Sequence, residues 1–170
     1  MKNILYTFIS FIVSINLFSQ ELITQENIHQ AVDAWIEDSV SAELQYGHIS
    51  NWDVSNVTSM ESLFYEGYNN PATFNSDISS WDVSGVTNMK RMFVNTIYNI
   101  DISSWDVSNV TNMNELFYNA ENFNSNISMW DVSNVTNMSG MFSGAINFNA
   151  DISSWDVSSV TSMFGMFYGA

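Results

Sequence analysis

Residues 102–124 read ISSWDVSNVTNMNELFYNAENFN, and the same pattern returns along most of the chain. Its centre, Trp-Asp-Val-Ser, begins at Trp52, Trp81, Trp105, Trp130 and Trp155, at spacings of 29, 24, 25 and 25 residues. Self-similarity at a period of about 20–50 residues marks an array of stacked units, none of which can bury its apolar face alone. The apolar skeleton is Ile-x-x-Trp-x-Val-x-x-Val-x-x-Met-x-x-Leu/Met-Phe, followed usually by Ala and then by an aromatic residue.

The first half of the unit has a leucine-rich-repeat rhythm, and Trp-x-Val alternates as a short strand should. The second half places Met113, Leu116, Phe117 and Ala120 three and four apart, a spacing that suits one or two helical turns. The expected fold is an α/β repeat solenoid, leucine-rich-repeat-like, with one short strand and one short helix per ~25-residue coil. Departures from the period mark loops. The first copy carries extra residues around Pro71, between Phe64 and Phe74, and the second is shorter between Phe93 and Tyr98.

Three segments follow. Residues 1–19 read as a signal peptide: Lys2 is a positive start, Ile4 to Phe18 is mostly apolar, and Ser19 is a small residue at the cleavage position. The apolar stretch is short for a membrane span, which needs about 20 residues. Residues 20–46 read as an N-terminal helical cap, because Ile28, Ala31, Val32, Trp35 and Ile36 form one helix face, with Thr24 placed to cap it and Glu26 in its first turn. Residues 47–170 read as the five-repeat solenoid. The last copy stops at Ala170, where earlier copies continue to an aromatic-Asn pair, so the array is expected to be truncated at its C-terminus.

The chain has 170 residues, a formal net charge of −15, no cysteine and an aromatic content of 15 %, and its only cations besides Lys2 are Lys90 and Arg91. That balance repels nucleic acid phosphates and anionic membranes. Without cysteine, an exported chain must be stable without disulfides.

These residues resemble the BspA-like leucine-rich-repeat surface proteins of bacteria, through the repeat FNxDISxWDVSNVTNMxxMF over about residues 46–170. The resemblance implies an extracellular or surface-attached solenoid whose role is adhesion or other binding, with no catalytic residues to carry over.

Asp53, Asp82, Asp106, Asp131 and Asp156 should form a column with coils roughly 4.8 Å apart. Such a column suggests a ladder of calcium sites, since a hard cation takes several carboxylate and carbonyl oxygens. The alternative is an Asx-turn, in which each carboxylate accepts the N–H of the serine two residues on. A second column, Asp77, Asp101 and Asp151, has Asn126 in the remaining copy, which keeps the acceptor without the charge and favours the turn. Asn75, Asn99, Asn124 and Asn149 are placed to bond between coils. His29 and His48 have no cysteine or histidine cluster beside them, which leaves a transition-metal site without ligands. The expected function is an exported cell-surface or secreted protein that binds an extracellular protein or glycan, without catalysis or cofactor. Variable positions such as Met129, opposite Ser80, Ser104 and Ser154, and Asn51 in the first coil, would hold specificity. A structural spacer supporting a further domain is the alternative, and a secreted hydrolase built on His48 a remote one.

Overall fold

A computed structural model describes residues 20–65 and 74–170. Residues 1–19, read above as a signal peptide, and residues 66–73, read above as a loop around Pro71, lie outside the described residues. The chain opens with helix α1 (Ile28–Glu37), helix α2 (Ser39–Tyr46) and a single 3₁₀ turn (Ile49–Asn51). Five coils follow, numbered here by their tryptophans from Trp52 to Trp155.

Helix α1 buries Ile28, Ala31, Val32 and Trp35, the face that the apolar spacing picks out. The indole N–H of Trp35 donates to Ser76 Oγ at 2.8 Å, which ties the helix to the second coil. Its N-cap is Asn27, which makes no side-chain cap bond. Thr24 closes the turn before it, with Oγ1 accepting from the Glu26 and Asn27 N–H groups (both 3.3 Å). Asp38 stops α1 and starts α2, since its extended backbone breaks the helix while its carboxylate accepts from Val40 N (3.1 Å) and Ser41 N (3.3 Å).

The expected α/β solenoid, with a strand and a helix in every coil, does not form. Among the described residues there is no strand. Neighbouring coils meet at isolated parallel bridges, Ser59 to Asn88 to Asn112 to Asn137 to Ser162. The reason lies in where the backbone N–H groups go. Around Trp-x-Val they are spent inside the coil: Trp105 N donates to Ile102 O (3.2 Å) and Val110 N to Val107 O (2.9 Å), and the same turns recur in the other coils. A segment folded into such turns cannot also form a continuous ladder with its neighbour.

The Met-to-Ala half is not helical either. In the third coil, Met113, Glu115, Phe117 and Asn119 donate across to the carbonyls of Asn137, Ser139, Met141 and Ser143 at 2.7–2.9 Å. The alternate residues Leu116, Tyr118 and Ala120 donate back three residues within the coil. An α-helix bonds every N–H four residues back, so this alternation is a different structure. It requires left-handed backbone at two places per coil: Ser62, Arg91, Glu115, Gly140 and Gly165 at one, and Asn95, Asn119, Gly144 and Gly169 at the other. The spacing of three and four thus reflects a turn ladder that returns apolar residues inward with nearly a helical period.

The core is a set of aligned columns. Phe64, Phe93, Phe117, Phe142 and Phe167 stack ring on ring at 5.3–5.7 Å. The phenylalanines before Asn75, Asn124 and Asn149 pack on them, with Phe74 at 4.0 Å from Phe64, Phe123 at 3.7 Å from Phe117 and Phe148 at 3.8 Å from Phe142. Each tryptophan from Trp81 onward is anchored by its indole N–H to a carbonyl of the coil before, for example Trp130 to Ile102 O at 3.2 Å. The threonines form a further ladder, Thr87 N to Thr58 O, Thr111 N to Thr87 O and onward to Thr161, at 2.8–2.9 Å.

Candidate functional site

The repeated aspartates are exposed, and each is occupied locally. Oδ1 of Asp53, Asp82, Asp106, Asp131 and Asp156 accepts the N–H of the serine two residues on, at 2.9–3.1 Å. In the second column, Asp77, Asp101 and Asp151 make the same turn with Ser79, Ser103 and Ser153 at 2.9–3.1 Å. Asn126 makes it without charge, with Ser128 N at 3.1 Å and Ser128 Oγ at 2.7 Å. In the first coil His48 takes the position, and its Nδ1 accepts from Ser50 N at 3.3 Å. Among the described residues, no three His, Cys, Asp or Glu side chains come together in a way that could hold a metal ion.

The serine hydroxyl and then the serine N–H hold the carboxyls of Asp53, Asp82 and Asp131 below the usual aspartate value of 3.8. For Asp156 the N–H of Ser158 leads and its hydroxyl follows. A carboxyl held low in the folded state stabilises the fold above the unfolded aspartate value, and that contribution is lost as pH falls through the folded value. The melting temperature is therefore expected to fall once the pH drops below about 4. Asp131→Asn keeps the acceptor and loses only the charge, so it should lower the melting temperature at neutral pH by less than Asp131→Ala does. Asp131→Ala should lower it by a few degrees. Millimolar calcium should add neither heat of binding nor thermal stability, and a calcium-dependent rise in melting temperature would contradict the turn assignment.

The serines before tryptophan are also structural. Oγ of Ser80, Ser104 and Ser154 donates to Ser50 O, Ser79 O and Ser128 O at 2.7–2.8 Å. Met129 replaces that serine in the fourth coil and stands 85 % exposed by itself. The asparagine column bonds between coils, with Asn99 Oδ1 accepting from Asn124 N (2.9 Å) and Asn124 Oδ1 from Asn149 N (2.8 Å).

Residue type changes most along the edge just after the bridge residues. The position after the methionine of the apolar skeleton holds Glu61, Lys90, Asn114, Ser139 and Phe164 in successive coils. The next, where the backbone is left-handed, holds Ser62, Arg91, Glu115, Gly140 and Gly165. Three residues further on stand Tyr65, Val94, Tyr118, Ser143 and Tyr168. The position five before tryptophan also varies, but Gly47, Ile100 and Ser125 there are buried. The sequence carries the signal for this edge, visible when each repeat position is tabulated by how much it changes.

Chemistry along the edge is graded. In the first coils it is ion-paired: Lys90 Nζ lies 2.8 Å from Glu61 Oε1, and Arg91 Nε 2.7 Å from Glu115 Oε2. The Lys90 bond, followed by that from Asn88, holds the Glu61 carboxyl below its usual value against partial burial. Beyond Glu115 the charges cease, and a groove of about 510 Å³ runs over the third to fifth coils, lined by the rings of Tyr118, Phe164 and Tyr168 together with Gly140, Ser143 and Gly165.

Gln25, which sequence reading passed over, lies at the other end of the stack. Its carboxamide oxygen accepts from Thr58 N (2.9 Å) and Ser59 N (2.8 Å), and its NH₂ donates to Ser59 O (3.0 Å). In later coils these groups pair with the backbone of neighbouring coils, so the Gln25 amide stands in for a peptide group at the first. Nothing in the repeat period reveals it.

Comparison with curated proteins and with solved structures finds no match. The family described as "Mycoplasma protein of unknown function, DUF285" matches over two overlapping segments, residues 39–108 and 94–170. Those segments run through α2 and all five coils, and the chain belongs to the DUF285 family.

Proposed function

We propose that this is an exported repeat protein, secreted or held at the cell surface, that binds an extracellular protein or glycan and performs no chemistry of its own. The reading rests on one observation: residues common to all coils are spent on folding, whereas three positions that change in kind from coil to coil lie together on one edge. A spacer would need no such segregation. Support for export comes from the sequence of residues 1–19. Among the described residues no helix is long and apolar enough to cross a membrane. The likeness of the repeat to BspA-like surface proteins agrees with an adhesive role, and the charge of −15 disfavours nucleic acid as a partner.

The test is capture. Immobilised full chain, freed of residues 1–19, is offered extracellular proteins and a glycan array. Retention of a partner at micromolar concentration is the expected result. Failure to retain any would reject binding in favour of the spacer.

A further inference from the structure

The groove over the third to fifth coils combines three features. Tyr118 and Tyr168 occupy the same repeat position two coils apart, which is roughly 9–10 Å along a stack with sheet-like spacing. Between them the fourth coil carries Ser143 in place of tyrosine, 7 % exposed, so the gap has a floor and no filling. Gly140 and Gly165 continue the line on which the earlier coils carry Arg91 and Glu115, and a Cβ on Gly140 would come within 3.1 Å of the Glu115 side chain. The absence of side chains there keeps the groove open.

Its walls are mostly carbon, and Glu115 lines the end at which its carboxylate meets Arg91. The volume of about 510 Å³ falls in the range of small-ligand sites. A wholly apolar ligand would strip water from that carboxylate with no replacement, which is costly. An anionic ligand meets both Glu115 and a chain of charge −15. A cationic one must compete with Arg91, already 2.7 Å from Glu115. A sugar ring offers a C–H face for the tyrosines and a rim of hydroxyls for the carboxylate, and it carries no net charge.

We propose that this groove binds one or two units of an uncharged glycan, with Tyr118 and Tyr168 as stacking walls and Glu115 as hydroxyl acceptor. The proposal rests on the binding function proposed above and names its ligand class and site. The probes are neutral hexose and N-acetylhexosamine oligosaccharides, titrated into the full chain and followed by saturation-transfer NMR. At least one is expected to bind. Ser143→Tyr should weaken it by at least about tenfold, because the new ring fills the groove. Tyrosine already stands at that position in three other coils, so the melting temperature should not change. Tyr168→Ala should weaken binding similarly by removing a wall from outside the core.

Unchanged affinity in both variants would overturn the site. So would capture of a protein partner that survives enzymatic removal of its glycans while no oligosaccharide binds; the binding function would then stand and only its glycan ligand fall. Capture of nothing at all would remove both.

Discussion

Phe117→Ala is expected to destabilise the protein by about 3–5 kcal/mol, measured by denaturant unfolding. Phe117 is 1 % exposed and has aromatic rings on three sides, Phe93 at 5.6 Å, Phe142 at 5.7 Å and Phe123 at 3.7 Å. Truncation removes the transfer energy of a buried ring and leaves a void that rigidly bonded neighbouring coils cannot close. Position matters as well as burial. In a stack, stability is approximately a sum of unit terms and neighbour terms, and Phe117 belongs to both interfaces of the middle coil. Unfolding of the variant should therefore split into two transitions, with the first two coils and helices α1 and α2 separating from the last two coils. A loss below about 1.5 kcal/mol would mean the void collapses and the ring column is not the main support.

Gln25→Ala has the second-largest expected effect, about 1–2 kcal/mol. The substitution frees two N–H groups and one carbonyl of the first coil at once. Thr58 is exposed and Ser59 half-buried, so water replaces part of what is lost and the cost stays below that of fully buried groups. The local signature is hydrogen exchange: the amides of Thr58 and Ser59 should lose protection by roughly tenfold or more, while those of Thr136 and Ser162 stay unchanged. Uniform loss of protection along the stack would show instead that Gln25 acts on global folding.

The repeat, its inward-facing residues and the apolar face of α1 were legible because periodicity reports burial directly. Trp105, Val107, Val110, Met113 and Phe117 were read as core, and all are buried. Backbone form was not legible, because burial pattern and hydrogen bonding are separate. Trp-x-Val alternates inward and outward in a chain of turns as it would in a strand. Met113, Leu116 and Phe117 point inward from a turn ladder at nearly helical intervals. A clue lay in Gly140 and Gly165, aligned with Glu115: glycine recurring at one place in a supposed helix favours a left-handed turn. The aspartate turns were readable through Asn126, since one uncharged copy shows which property of the column matters. The variable edge is harder to see than Met129, because Met129 is one side chain that differs, whereas the edge is three separated positions that change together.

The alternate N–H groups that cross from coil to coil run along the stack axis, and this has a mechanical consequence. Tension applied along that axis loads the bonds of one interface in succession, as in a zipper, without shearing them all together. The weakest interface yields first and the rest hold. Each coil that lets go releases about 25 residues, roughly 80–90 Å of extended chain. A protein bridging a cell and its surroundings through such a stack would lengthen stepwise under load, limiting peak force by paying out chain. A ligand bound across the third to fifth coils would fasten those interfaces together and raise the force needed to part them.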